Sequence, residues 1–262
     1  MILSSKEYYS PQRRVRAYIV AYLKPDDADE NPSSICTTIA SVPPLIKKFK
    51  NPAASDMKEF VFGDSHAYVK KELQRRLLLR KKDKGPDGSE EVIQKSNWKI
   101  NYTQSLLNKG QTVSSCVIPA EARDSPWYET LTGRCQLVLG HAFNNNTDAQ
   151  FVDCYQSLQR EFVSTTPSIC TTIVPGSTLW STQHSRLLLG PELLKFQGMP
   201  NAIVKKAWEQ KVSDSNMTDL AGNSFTGFVF AAAALAALVH APLWKAQPGE
   251  TVISSVCSVL DI

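Results

Sequence analysis

"SRLLLGPELLKFQGMP", Ser185–Pro200, reads as a short helix with a hard stop. Gly190 and Pro191 open the helix, because proline's fixed φ suits the first helical position and its missing N–H is not needed there. Leu193, Leu194 and Phe196 give the helix an apolar face. Gly198 stands where a left-handed residue ends a helix, and Pro200 prevents its resumption. Working toward the C-terminus, a second helix is predicted over roughly 202–211. Ser213 and Asp214 are candidate caps for a short turn before "LAGNSF", and an alanine-rich helix begins at about Ser224. Near the N-terminus, "RAYIVAYL" (Arg16–Leu23) is β-branched and aromatic and predicts a strand, followed by the loop "KPDDADENPSS".

The chain has 262 residues, enough for one large domain or two small ones. With 42% hydrophobic and 21% charged residues it can bury a sizeable core. The formal charge of +4 permits a nucleic-acid partner without demanding one. The first residues lack the apolar segment of a secretory signal, so the six cysteines are expected to be reduced thiols in an intracellular protein, nuclear in a eukaryote. None pairs as C-x-x-C and no histidine cluster accompanies them, so no metal is expected. Phe225–Val239 is apolar but short of the roughly 20 residues of a membrane span, and is expected to be a buried helix.

The middle of the chain is less regular. Residues 56–82 have helical spacing, with Val69, Leu73 and Leu77 on one stripe. From Lys70 to Lys84 there are eight Lys or Arg against Glu72 and Asp83, a local balance of +6. Arg75, Arg76, Arg80 and Lys81 are candidates for contact with nucleic-acid phosphates, set against an ordinary solvated helix face. Trp98, Trp127, Trp180 and Trp208 are expected to be packing residues rather than base-stacking platforms. "CQLVLGHAF" fits either a buried strand or a helix. "SICTTI" occurs twice, at Ser34–Ile39 and Ser168–Ile173, and both copies read as short strands.

Several chemistries are missing. There is no H-E-x-x-H, G-x-S-x-G, Walker loop or G-x-G nucleotide loop, so no complete enzyme of a common class is visible.

Three stretches nonetheless occur in a telling order: Pro11, Gln12, Arg14 and Arg16 before a strand; Arg186 followed by Glu192, Gln197, Gly198 and Pro200; and Gly222, Asn223, Ser224. Together they resemble motifs VIII, IX and X, the C-terminal part of the DNA (cytosine-5)-methyltransferase family, with Phe225 where valine is more usual. The resemblance implies an α/β fold: a partial Rossmann-like methyltransferase sheet with an inserted mixed α+β target-recognition domain. Residues 1–24 would supply the motif VIII strand, 25–165 the recognition domain, and 166–262 the return to the catalytic domain.

The resemblance also implies chemistry. A cytosine must leave the duplex and enter a pocket. Arg14 and Arg16 would position the extruded nucleotide and its phosphate, with Gln12 in support on the DNA. Asn223, Ser224 and Phe225 would line the S-adenosylmethionine pocket at a helix N-terminus, and Arg186 and Glu192 would be structural. The family's F-x-G-x-G loop, Pro-Cys nucleophile and Glu-Asn-Val motif are absent from this sequence. In the family all three precede motif VIII. The expectation is therefore a fragment or split enzyme, inactive alone and completed by an upstream segment or partner chain, with DNA as substrate and no membrane role. The rival expectations are a non-catalytic DNA-binding or regulatory remnant and a fragment of an RNA cytosine methyltransferase.

Overall fold

In a computed structural model, the described residues are 2–17, 42–50, 57–83, 97–108, 110 and 118–240. The architecture is mixed α/β. In chain order the elements are β1 (Ile2–Ser4), β2 (Val15–Ala17), α1 (42–48), α2 (Ala67–Asp83), α3 (Asn97–Leu107), α4 (Ala120–Arg123) and α5 (Gly133–Asn145). There follow β3 (Phe151–Asp153), β4 (Val163–Ser164), β5 (Leu179–Ser181), β6 (Arg186–Leu187), α6 (Gly190–Phe196), α7 (Asn201–Glu209), α8 (Asp214–Asn223) and α9 (Gly227–His240). The four central strands form one antiparallel sheet in the order β4-β3-β5-β6, while β1 and β2 pair antiparallel apart from it.

The main core joins residues on both sides of position 165. Met57, Val69, Leu106 and Leu139 pack with Val152, Trp180, Leu193, Phe196 and Met217. Both strands of the β3–β5 pair are buried along their full length, the polar Asp153 and Ser181 included. A second, smaller cluster packs Leu3 and Tyr8 against Ile46 of α1 and Val229, Ala233 and Ala236 of α9. The alanine-rich helix is thus buried on one face, as its composition predicts. The stretch Asp214–Ala237 is long and apolar enough to cross a membrane by composition. It is not one helix, however: Ser224 is extended (ψ 156°) and separates α8 from α9.

Two local expectations are corrected. The turn foreseen before "LAGNSF" is the helix α8, capped by the Ser213 hydroxyl accepting from the Asn216 N–H. Gly222-Asn223-Ser224 consequently closes α8 instead of opening the alanine-rich helix, which starts at Gly227. The apolar spacing of "MTDLAG" carries the earlier helix through the polar residues that looked like a break. The "CQLVLGHAF" segment lies in α5, started by Thr132 accepting from the Cys135 N–H. The strand expected over Arg16–Leu23 is seen only as β2, and its remainder lies outside the described residues.

Candidate functional site

The site is a junction of three stretches that are far apart in sequence. Residues 11–14 run extended beside 170–173. Cys170 N–H donates to the Pro11 carbonyl (2.8 Å), Arg13 N–H to the Cys170 carbonyl (3.0 Å), and Gln12 and Cys170 form a parallel bridge. Alternation along this segment turns Gln12 and Arg14 inward and Arg13 outward, where it meets Glu161 at 3.0 Å. The second "SICTTI" copy is not a full strand: Ser168 sits in a turn at φ +58°, and only the part from Cys170 onward runs beside Pro11–Arg14, through a single bridge; the first copy lies outside the described residues.

Gln12 is fully buried. Its Nε2 donates to Gln197 Oε1 at 2.6 Å and lies 3.4 Å from Thr226 Oγ1. Gln197 Nε2 donates in turn to the Ala221 carbonyl at 2.8 Å, and the Gly227 N–H donates to the Gln197 carbonyl at 2.6 Å. Arg14 is buried too, and donates to the carbonyls of Ile173 and Gly222, each at 3.3 Å. Gln12 and Arg14 from the N-terminal stretch, together with Gln197, thus hold the turn after α6 against the α8–α9 break. Gly222 has no room for a Cβ, because the backbone of Val174 and Pro175 lies against it. Gly198 takes φ +80°, the left-handed cap that ends α6, and is covered by Phe228.

Below this junction lies a buried ion pair. Arg186 donates to both oxygens of Glu192 (2.7 and 3.0 Å) and also to the Phe62 and Leu187 carbonyls and Asp64. Glu192 accepts in addition from the N–H groups of Phe62 and Leu189, each at 2.7 Å. The Leu189 bond is the N3 carboxylate reaching back to the start of α6, half of a capping box. Burial alone would lower the Arg186 pKa, but the bonds and charge of Glu192 outweigh it and raise it. Every N–H of the guanidinium has an acceptor, the condition under which a buried pair is tolerated. Arg186 and Glu192 are structural, tying α6 to the 57–64 segment.

These pieces are the ones expected to assemble if the three short motifs are homologous. The sequence model of C-5 cytosine-specific DNA methylases matches residues 1–236. The chain belongs to this family. A DNA (cytosine-5-)-methyltransferase, DMT5, of Cryptococcus neoformans var. grubii is 22% identical over 260 aligned residues, covering 90% of this chain and 10% of the relative. The chain therefore spans about a tenth of the length of that curated relative. Membership makes this a protein of the DNA cytosine-5 methylation class, whose enzymes use S-adenosylmethionine.

Within this chain, Gln12 and Arg14 sit inside the junction. Arg16 lies in β2 opposite Leu3, and its side chain is outside the described residues. Asn223 and Phe225 are exposed beside the junction, and Ser224 is half-buried with its hydroxyl donating to the Ala221 carbonyl at 3.0 Å. Because Ser224 ends a helix, the free helical N–H groups expected there are not supplied by it.

The basic run lies on α2, away from that turn in sequence. Arg75 grips Glu72 through Nε and Nη2 (2.7 and 2.6 Å). Arg76 bridges Glu72 and the buried Asp214 at 2.8 Å each. Arg80 lines a cavity beside them, while the side chain of Lys81 is outside the described residues. Asp214 was not visible as a partner in the sequence, since 138 residues separate it from Arg76, whereas Glu72 stands three and four residues before Arg75 and Arg76 on the same helix. Burial raises the Asp214 pKa against the pull of Arg76. Burial also pushes Glu72 upward, but the bonds from Arg75 and Arg76 win and hold it low. Trp127 and Trp180 are core residues, and Trp208 packs edge-on to Tyr68. Among the described residues no group of three or more His, Cys, Asp or Glu could hold a metal ion.

Proposed function

We propose that this chain is the recognition and return portion of a cytosine-5 DNA methyltransferase, with DNA as its partner. Methyl transfer to cytosine would require polypeptide carrying the Pro-Cys nucleophile, the Glu-Asn-Val acid and the glycine-rich loop. The observation that carries this reading is the Gln12–Gln197 contact, which joins the Pro-Gln-x-Arg segment to the Gln-Gly-x-Pro turn beside Gly222. The fit of 90% of the chain to 10% of a much longer methyltransferase supports it. In this reading 1–24 and 166–262 return to a Rossmann-like catalytic sheet and 25–165 recognise the target. The three stretches share one core here, so they are functional segments of one packed unit.

Gln12 and Arg14 act by positioning: they fix the backbone on which Arg16 and the Asn223–Phe225 turn are carried. Arg16 meets the extruded nucleotide or its phosphate. When bound, S-adenosylmethionine supplies the methyl group. Phe225, 65% exposed, and the amide of Asn223 fit one wall of an adenosine site, an apolar ring face with a hydrogen-bonding edge. The opposite wall comes from the complementing polypeptide. Nuclear location follows if the source is a eukaryote.

Competition binding tests the substrate class. Duplex DNA should displace a labelled duplex from the chain, and tRNA should displace it only at much higher concentration. The reverse order of potency would favour the RNA reading.

A further inference from the structure

α9 has no polar face. No Asp, Glu, Lys or Arg occurs from Leu220 to His240, and every residue of α9 before His240 is apolar. A helix that is apolar all round is ordinarily buried all round. Here one face is buried: Val229, Ala232, Ala233 and Ala236 pack with Leu3, Tyr8 and Ile46. Helical periodicity puts Phe230, Ala231 and Ala234 together on the opposite face. Phe230 and Ala231 are exposed there, and Ala234 is half-buried. This bare strip runs on to the Asn223–Phe225 turn. Phe225 and Phe230 are both more than half exposed, and their rings lie 6.5 Å apart. Neighbouring exposed aromatic rings continuous with an apolar helix face mark a contact surface.

The chemistry of the strip narrows what covers it. It carries no cation, so it offers nothing to nucleic-acid phosphates. α9 has 14 residues. That is about 21 Å at the helical rise, short of the roughly 30 Å of a bilayer core, and one of its faces is already taken. A second copy seated on Phe230 would also cover the adjoining Asn223–Phe225 turn and shut the cofactor out. What fits is the apolar surface of a different polypeptide that reaches this turn, and the proposed function sets one there, opposite Phe225. The long fungal relative has such polypeptide in plenty, since this chain matches 10% of it.

We infer that the outer face of α9, built around Phe230, is the seat for the catalytic polypeptide, and that docking there brings the opposite wall of the cofactor site up to Phe225. This inference rests on the methyltransferase reading for the identity of the partner, though not for the bare face itself.

Sedimentation velocity tests it. The full chain is titrated with a polypeptide from the same organism that bears the F-x-G-x-G, Pro-Cys and Glu-Asn-Val motifs, and methylation by the mixture is measured alongside. Wild type should form a one-to-one complex. Phe230→Asp and Ala231→Glu put a charge into the seat and should each bind about tenfold more weakly or worse. Leu107→Asp, at an equally exposed apolar position on α3, should bind as wild type. Without the partner, all three variants should melt like wild type, because each substitution faces solvent. Variants of the seat that assemble as wild type in a mixture that methylates overturn the seat and leave the methyltransferase reading intact. Assembly weakened in both, in a mixture that does not methylate, supports the seat and rejects that reading. A wild-type chain that sediments as its own dimer, split by Phe230→Asp, overturns the inference in favour of a second copy. A melting temperature of the free chain that falls in both Phe230→Asp and Ala231→Glu overturns it too, because the face is then covered within the chain. No complex at all overturns the seat and the reading together.

Discussion

The amides of Gln12 and Gln197 meet at 2.6 Å although 185 residues separate them. Both are fully buried, so each amide satisfies the other in a place where water cannot. Truncating either one leaves the partner's polar atoms in the core. Gln12→Ala and Gln197→Ala should each cost about 1–3 kcal/mol in urea unfolding. The double variant should cost less than the sum, with a coupling of about 0.5–3 kcal/mol. Strict additivity would mean that the two amides do not interact.

Gly222 is fixed by contact, since the Val174–Pro175 backbone occupies the place of its Cβ. Gly222→Ala should destabilise by about 3 kcal/mol, toward the upper end for overpacking, because backbone rather than a flexible side chain must move. Thermal melting checks this. A change in melting temperature no larger than that of an exposed Ala substitution would show that the α8–loop contact is looser than described.

The Arg186–Glu192 pair is fully buried, so removing one partner strands the other charge. Glu192→Leu should cost about 3–5 kcal/mol, whereas Arg186→Met combined with Glu192→Leu should recover part of the loss. Chemical denaturation of the three proteins decides it. A double variant worse than the sum of the singles would contradict the account.

His184 is half-buried, and its Nε2 has no hydrogen-bond partner among the described residues. Burial lowers its pKa below 6.5, and the Arg186 charge adds to this against Asp64 and Glu192. The unfolded chain then takes up this proton at higher pH than the folded one. Stability should therefore fall as pH drops from about 6.5 toward the depressed folded value, and level off below it. Melting temperature against pH should show this slope in wild type, and His184→Gln should flatten it.

Much of the junction was legible because short motifs impose backbone geometry. Pro191 at a helix start, Gly198 at φ +80° and the alternating Gln12-x-Arg14 all follow from local rules. The reading failed at Ser224, where a capping residue belongs to the helix before it. Ser and Asn serve either end of a helix, and only the packing of Gly222 on Val174 decides which. The basic run posed a different problem. Its helix was visible, but Arg76's partner Asp214 is distant in sequence, so a solvated face and an ion-pair network looked alike. The recurrence of "SICTTI" had no local meaning, and the role of its second copy appeared only with the pairing of Cys170 to Gln12.

The central claim is that this chain completes a cytosine-5 methyltransferase. The direct measurement is 5-methylcytosine formed in duplex DNA from labelled S-adenosylmethionine. The chain is mixed with a separately produced polypeptide from the same organism that bears the F-x-G-x-G, Pro-Cys and Glu-Asn-Val motifs. The account predicts methylation in the mixture, none with this chain alone, and strong loss when Gln12 is replaced by Ala. A mixture that methylates no better than the catalytic polypeptide by itself would contradict it.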